Sequence, residues 1–119
     1  MQYMILATET ADDFAKRDDP AEAETYWAAW SSYVDAINAS GLLVGSGGLM
    51  PPRAATTLRI VDGQTVVEDG PYADTKEQLG GYFVIEVDGL DTAMEWAQRC
   101  PSLGTAAVEV RPLLPPPGG

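Results

Sequence analysis

Asp69-Gly70-Pro71-Tyr72-Ala73-Asp74-Thr75-Lys76-Glu77-Gln78-Leu79-Gly80-Gly81 runs straight into Tyr82-Phe83-Val84-Ile85-Glu86-Val87. The first part is dense in turn formers and charge, and the second alternates as a strand does. Phe83, Ile85 and Val87 share one face, and Tyr82, Val84 and Glu86 share the other. Gly70-Pro71 predicts a rigid turn after Asp69, because the proline ring fixes its own φ and keeps the preceding residue out of the helical region. Asp74 with Glu77 three residues on has capping-box spacing, so a short helical turn ending at Gly80-Gly81 is expected. A shaped loop opening onto a strand is where sites tend to sit.

Upstream, Thr56 to Val61 and Gln64 to Glu68 read as strands joined by Asp62-Gly63, a hairpin signal. Before them, Leu42-Leu43-Val44 begins a strand that runs into Gly45-Ser46-Gly47-Gly48. These glycines lack the spacing of a dinucleotide fingerprint and are followed by Pro51-Pro52 rather than a helix, so no cofactor is expected there. A bulge or a close backbone approach accounts for them better. Further back, Asp19 is a suitable N-cap with Pro20 at the first helical position. Tyr26, Trp30, Tyr33 and Ile37 then recur at helical spacing, widened by Trp27 and Val34, up to Ser40-Gly41. Gln2 to Thr8 is an apolar run expected to be a strand buried on both faces, and Glu9 to Asp19 a connector with one turn near Phe14. Downstream, Asp91 is expected to cap a helix over Thr92 to Arg99, stopped by Pro101, before a last strand from Thr105 to Leu113.

Strand, helix, strand, hairpin, strand, helix, strand is an α+β order, the ferredoxin-like βαββαβ plan with an inserted β-hairpin. It predicts an antiparallel sheet with two helices on one face, in a single domain over 1–114 followed by a disordered Pro/Gly tail at 115–119. The uncovered face is expected to carry Tyr82 and Val84 beside Arg59, Glu86, Glu109 and Arg111, a surface suited to a second subunit's sheet. A homodimer packed sheet to sheet, enclosing a polar pocket, is the expectation.

Composition removes several functions. The 119 residues hold seven Lys and Arg against eighteen Asp and Glu, a net charge of -11 that would repel a phosphate backbone, so nucleic acid is not an expected partner. No apolar run reaches membrane-spanning length and no leader pattern stands at Met1, so a cytoplasmic protein is expected. Cys100 is alone, which agrees with a reducing compartment. With no histidine, His-assisted nucleophiles and His-ligated metals are excluded for this chain. No carboxylate spacing matches a known Mg²⁺ or Ca²⁺ loop either, so no metal is expected.

The run from Asp69 to Tyr82 closely resembles the signature of DGPF-domain proteins, a branch of the YCII-related family. Ala55-Thr56-Thr57-Leu58-Arg59, Leu90-Asp91-Thr92-Ala93-Met94-Glu95-Trp96-Ala97 and Val108-Glu109-Val110-Arg111-Pro112 extend the likeness over nearly the whole chain. Tyr72 departs from the Phe of the family name, adding a hydroxyl. The resemblance implies a dimeric α+β barrel but no settled activity. Some related proteins carry a His-Asp pair suspected of catalysis; here Trp30 and Cys100 fall near those places, which argues against carrying over a hydrolytic role. The branch is often encoded beside extracytoplasmic-function sigma factors, implying a regulatory setting and a sigma factor as a partner.

Among the residues themselves, Arg59 and Arg111 could clamp an anionic group, with Lys76, Tyr82 and Trp30 completing a ligand site. Asp69 or Glu109 could act as a base if burial raised its pKa. The arginines more simply offset Glu86 and Glu109 across the sheet, the reading favoured over ligand binding. Three functions follow: binding a small, anionic molecule in a dimer cleft, acid–base catalysis on a small organic substrate by carboxylates or Lys, or docking of a regulatory partner on an acidic surface.

Overall fold

The structure, a computed structural model, describes residues 1–117; Gly118 and Gly119, the end of the expected tail, lie outside the described residues. In chain order the elements are β1 (Gln2–Thr10), α1 (Ala11–Lys16), α2 (Ala23–Ala39), β2 (Leu43–Gly48), β3 (Thr56–Val61), β4 (Gln64–Asp69), β5 (Glu77–Glu86), α3 (Leu90–Gln98) and β6 (Val108–Pro112), with a 3-10 turn over Pro52–Ala54. Four strands form an antiparallel sheet in the order β2-β5-β1-β6, the split βαβ arrangement expected. The β3–β4 hairpin forms a separate two-stranded sheet, turned by Asp62 and Gly63 at φ 51 and 79.

The core lies between one face of the main sheet and helices α2 and α3. Tyr3, Ile5 and Ala7 of β1 and Phe83 and Ile85 of β5 meet Tyr33 and Ile37 of α2 and Ala93 and Ala97 of α3. Tyr33 sets its ring edge-on to Phe83, 5.2 Å between centroids, and its hydroxyl donates to the Trp96 carbonyl at 2.9 Å, tying the helices together. Burial of that phenol raises its pKa.

Several expectations need correction. The β1 run is not buried on both faces: Tyr3, Ile5, Ala7 and Glu9 are buried while Met4, Leu6 and Thr8 are half-buried. β1 therefore extends through Glu9, and the expected connector is a capped helix. Thr10 Oγ1 accepts from the Asp13 N–H at 3.1 Å and Asp13 Oδ2 accepts from the Thr10 N–H at 3.0 Å. Helix α2 starts three residues past Pro20, since the Asp19 carboxylate is engaged locally by the Ala21 N–H at 2.9 Å in a turn of its own. Helix α3 is entered from Gly89, and Asp91 sits in its first turn, where the helix dipole favours a carboxylate. No helical turn forms at Asp74: Glu77 begins β5, and its Oε1 is drawn instead to the Ala107 N–H at 2.6 Å and the Thr8 hydroxyl at 3.2 Å. Arg59 does not lie on the uncovered face of the main sheet, because its strand pairs only within the hairpin.

The glycines of β2 do mark a close approach. A Cβ built on Gly47 would stand 2.9 Å from the Tyr82 ring, and one on Gly81 3.2 Å from the Gly47 carbonyl oxygen.

Candidate functional site

The alternation of β1 puts Glu9 on the same inward face as Tyr3, Ile5 and Ala7, and its side chain is only 2% exposed. A lone carboxylate there is expensive to bury, so it must be neutralised and hydrogen-bonded. Arg17, one residue past α1, reaches Glu9 Oε1 with Nη2 at 2.7 Å. Tyr26, on the first turn of α2, donates its hydroxyl to Glu9 Oε2 at 2.5 Å and accepts from Arg17 Nε at 3.0 Å. Arg17 Nη1 donates to the Leu49 carbonyl at 2.6 Å, and Trp27 Nε1 donates to the Arg17 carbonyl at 3.1 Å. Its guanidinium also lies 4.9 Å from the Phe14 ring centroid. Gly80 completes the seat, since a Cβ there would come within 2.3 Å of Glu9 Oε1. The register shift between β1 and β5 falls at this point, where Ala7 faces Gly81 and Thr8 faces Leu79.

The electrostatics follow from this packing. Burial, helped by the Glu9 hydrogen bond, pushes the Tyr26 phenol up to about 12. Burial opposes the Arg17 charge, but the bonds to Tyr26 and Glu9 outweigh it and hold the guanidinium above its ordinary value. Neighbouring Asp13 is also buried. Desolvation works against its charge, but the Thr10 backbone, Thr105 and Thr10 hydroxyls and nearby Lys16 together lower its pKa.

Two cavities border Glu9 and Tyr26. One, of about 400 Å³, has an apolar wall of Trp27, Trp30, Val34, Met50 and Phe83 and a glycine floor of Gly47, Gly48, Gly80 and Gly81. Trp30 and Phe83 are parallel within 8°, with centroids 6.3 Å apart. The other, of about 360 Å³, is lined by polar groups including Lys16, Thr25, Ser102 and Thr105. Glu9, Tyr26 and Trp30 line both. The arrangement is a crevice beneath α2 with an apolar lobe and a polar lobe that share buried Glu9 and half-buried Tyr26, with Arg17 bordering the apolar lobe. It fits an organic molecule of modest size.

Of the residues singled out from sequence, Trp30 belongs to this crevice. The others do not gather around it. Arg59 donates to Glu68 Oε1 from Nε at 3.2 Å and Nη2 at 2.8 Å on the hairpin. Arg111 pairs with Glu109 two residues away at 2.6 Å, and both are exposed. Tyr82 lies over Gly47 on the opposite face of the main sheet. Asp69 ends β4 opposite Thr56, exposed, and Lys76 lines a shallow surface hollow with Pro71 and Asp74. Glu9, Arg17 and Tyr26 were missed from sequence. The signal available was Glu9 at the next inward position of Tyr3-Ile5-Ala7.

The sequence profile of the YCII-related domain matches residues 1–116. An uncharacterized protein of Rhizobium meliloti (strain 1021) is 39% identical over 118 residues, covering 95% of this chain and 92% of its own. Among solved structures, the chain resembles 5-chloro-2-hydroxyhydroquinone dehydrochlorinase from Burkholderia phenoliruptrix AC1100 in complex with 2,5-dihydroxybenzoquinone. The TM-score is 0.54 at 17% identity, over 96% of this chain and 94% of the other, a likeness of fold. No described helix is long and apolar enough to cross a membrane. The profile match over almost the entire chain, with the α+β fold beneath it, places this protein in the YCII-related family.

Proposed function

We propose that the protein binds a small planar organic molecule in the apolar lobe beneath α2, with its polar end at Glu9, Arg17 and Tyr26. The observation that carries this reading is the indole and phenyl wall of Trp27, Trp30 and Phe83 closing on a buried, charge-balanced trio. Fully exposed rings would serve solvent poorly, and a buried ion pair is retained at a cost that packing alone would avoid. The structural neighbour, solved in complex with 2,5-dihydroxybenzoquinone, supports a ring-shaped ligand. The site so proposed lies on the helix side of the sheet rather than in the cleft between two sheets.

The open face, with Met4, Leu6, Tyr82 and Val84 half-buried and no helix over them, supports a homodimer packed through that face, with Glu109 and Arg111 at its rim. The place of the ligand, apolar lobe or open face, is decided in one experiment, thermal unfolding with and without a panel of small ring compounds. A bound compound at about a hundredfold over its Kd raises stability by about 2.7 kcal/mol. Trp30→Ala is expected to abolish the rise and Arg111→Ala to keep it. The reverse pattern would move the site to the open face.

A second reading is acid–base catalysis on such a molecule. It is favoured by the Tyr26 hydroxyl, which sits on a carboxylate at the junction of the lobes and could pass a proton between a ligand and Glu9. Turnover lost in Glu9→Gln, with ring binding retained, is its expected signature.

A further inference from the structure

The hydrogen-bonding capacity left over at Glu9, Arg17 and Tyr26 specifies what the ligand must offer. Arg17 is almost fully used. Nε donates to Tyr26, Nη1 to the Leu49 carbonyl, and Nη2 to Glu9 and, at 3.4 Å, to the Gly80 carbonyl, leaving one of its N–H groups. The single Tyr26 proton is committed to Glu9. The Trp27 N–H is committed to the Arg17 carbonyl. Among the described residues the indole N–H of Trp30 has no partner. Acceptor positions are more plentiful. The Tyr26 oxygen, with one donor bound, has a further acceptor site, and each Glu9 oxygen accepts a single bond. A negatively charged group brought here would meet a carboxylate whose counter-charge is already engaged.

From this surplus of acceptors we infer that the apolar lobe selects a neutral ring bearing a hydroxyl, whose O–H donates to Tyr26 Oη. The inference rests on the pocket reading above and narrows its ligand. A hydroxyl suits the site because it brings the proton that the Tyr26 oxygen can accept. An ether of the same ring has no proton to give and leaves a buried acceptor unpaired. A carboxylate adds an anion beside Glu9. Arg17 is thus a positioning residue rather than an anion clamp.

The test is a nuclear magnetic resonance titration of the 119-residue chain with phenol, its methyl ether anisole, and benzoate, following the indole N–H signals of Trp27 and Trp30. Phenol is expected to bind at least about tenfold more tightly than anisole, the effect of one hydrogen bond to a buried acceptor. Benzoate is expected to bind more weakly than phenol. In Tyr26→Phe, checked for an unchanged fold by its amide spectrum, the phenol preference should shrink several-fold while anisole affinity stays level. Equal binding of phenol and anisole, or tightest binding of benzoate, overturns the inference and leaves the pocket standing. Binding of none of the three overturns the pocket reading and the inference with it.

Discussion

Arg17 and Arg59 each meet a glutamate, at 2.7 Å and 2.8 Å, so by geometry alone the pairs are near equals. Their surroundings are not. The Glu9–Arg17 pair has side chains 2% and 12% exposed, whereas Glu68 and Arg59 are 43% and 45% exposed. In water an ion pair is screened and its side chains stay mobile, so little stability follows. Beneath α2 the charges have lost their hydration, and each partner is needed to offset the desolvation of the other. The buried pair also borders a cavity with aromatic walls, while the exposed pair borders solvent. Proximity of opposite charges therefore indicates a site only when burial and a cavity accompany it.

The sharpest way to break the comparison is to remove one partner of the buried pair. Arg17→Met replaces the unbranched stem of the side chain, removes the guanidinium and strands the Glu9 carboxylate, at an expected cost of about 3 kcal/mol. Urea unfolding measures it, and a loss near zero would show that water reaches Glu9 freely. A smaller effect comes from crowding the carboxylate without touching its charge. Gly80→Ala sets a methyl within 2.3 Å of Glu9 Oε1, which is held in place by Arg17, and is expected to cost about 1–3 kcal/mol. Gly48→Ala, whose new methyl would meet nothing within 4 Å, is the control and should leave the unfolding midpoint in place.

The main fold was legible because its determinants are local. Asp62-Gly63 prescribes its own turn, and the alternation of Phe83, Ile85 and Val87 prescribes a face. The site was much less so. Glu9 reads as the start of a polar connector, and only the continuation of β1 past Thr8 turns it inward. Asp74 and Glu77 have capping spacing, yet Glu77 finds donors on Thr8 and Ala107, whose positions no local pattern reveals. The aromatic run of α2 was plain in sequence, but its division was not: Tyr33 and Ile37 fill the core, while Trp27 and Trp30 wall a cavity. That division depends on where the sheet ends beneath the helix.

Alkaline pH probes the buried trio more gently than any truncation. Burial and the Glu9 bond keep Tyr26 protonated in the fold up to about 12, above the ordinary tyrosine value near 10 of the unfolded chain. The unfolded chain thus loses this proton first as pH rises. The stability tied to it is complete below about pH 10 and declines until the folded phenol also ionises near 12. Urea midpoints should fall across that window, and Tyr26→Phe should flatten the part that Tyr26 contributes. An identical slope in the variant would mean that the phenol is not shielded.

The smallest expected effect lies on the hairpin. Arg59→Ala removes an ion pair of nearly the same length as the buried one, from two side chains that remain in water either way. No buried charge is stranded, because Glu68 is 43% exposed and can be hydrated where it stands. The unfolding midpoint should match that of the unaltered protein at moderate salt, and ring binding should be untouched. A clear loss of stability here would require something to cover the hairpin. Leu58, Ile60 and Val67 are each more than half exposed in the single chain, so concentration dependence of that loss would identify the cover as a second copy.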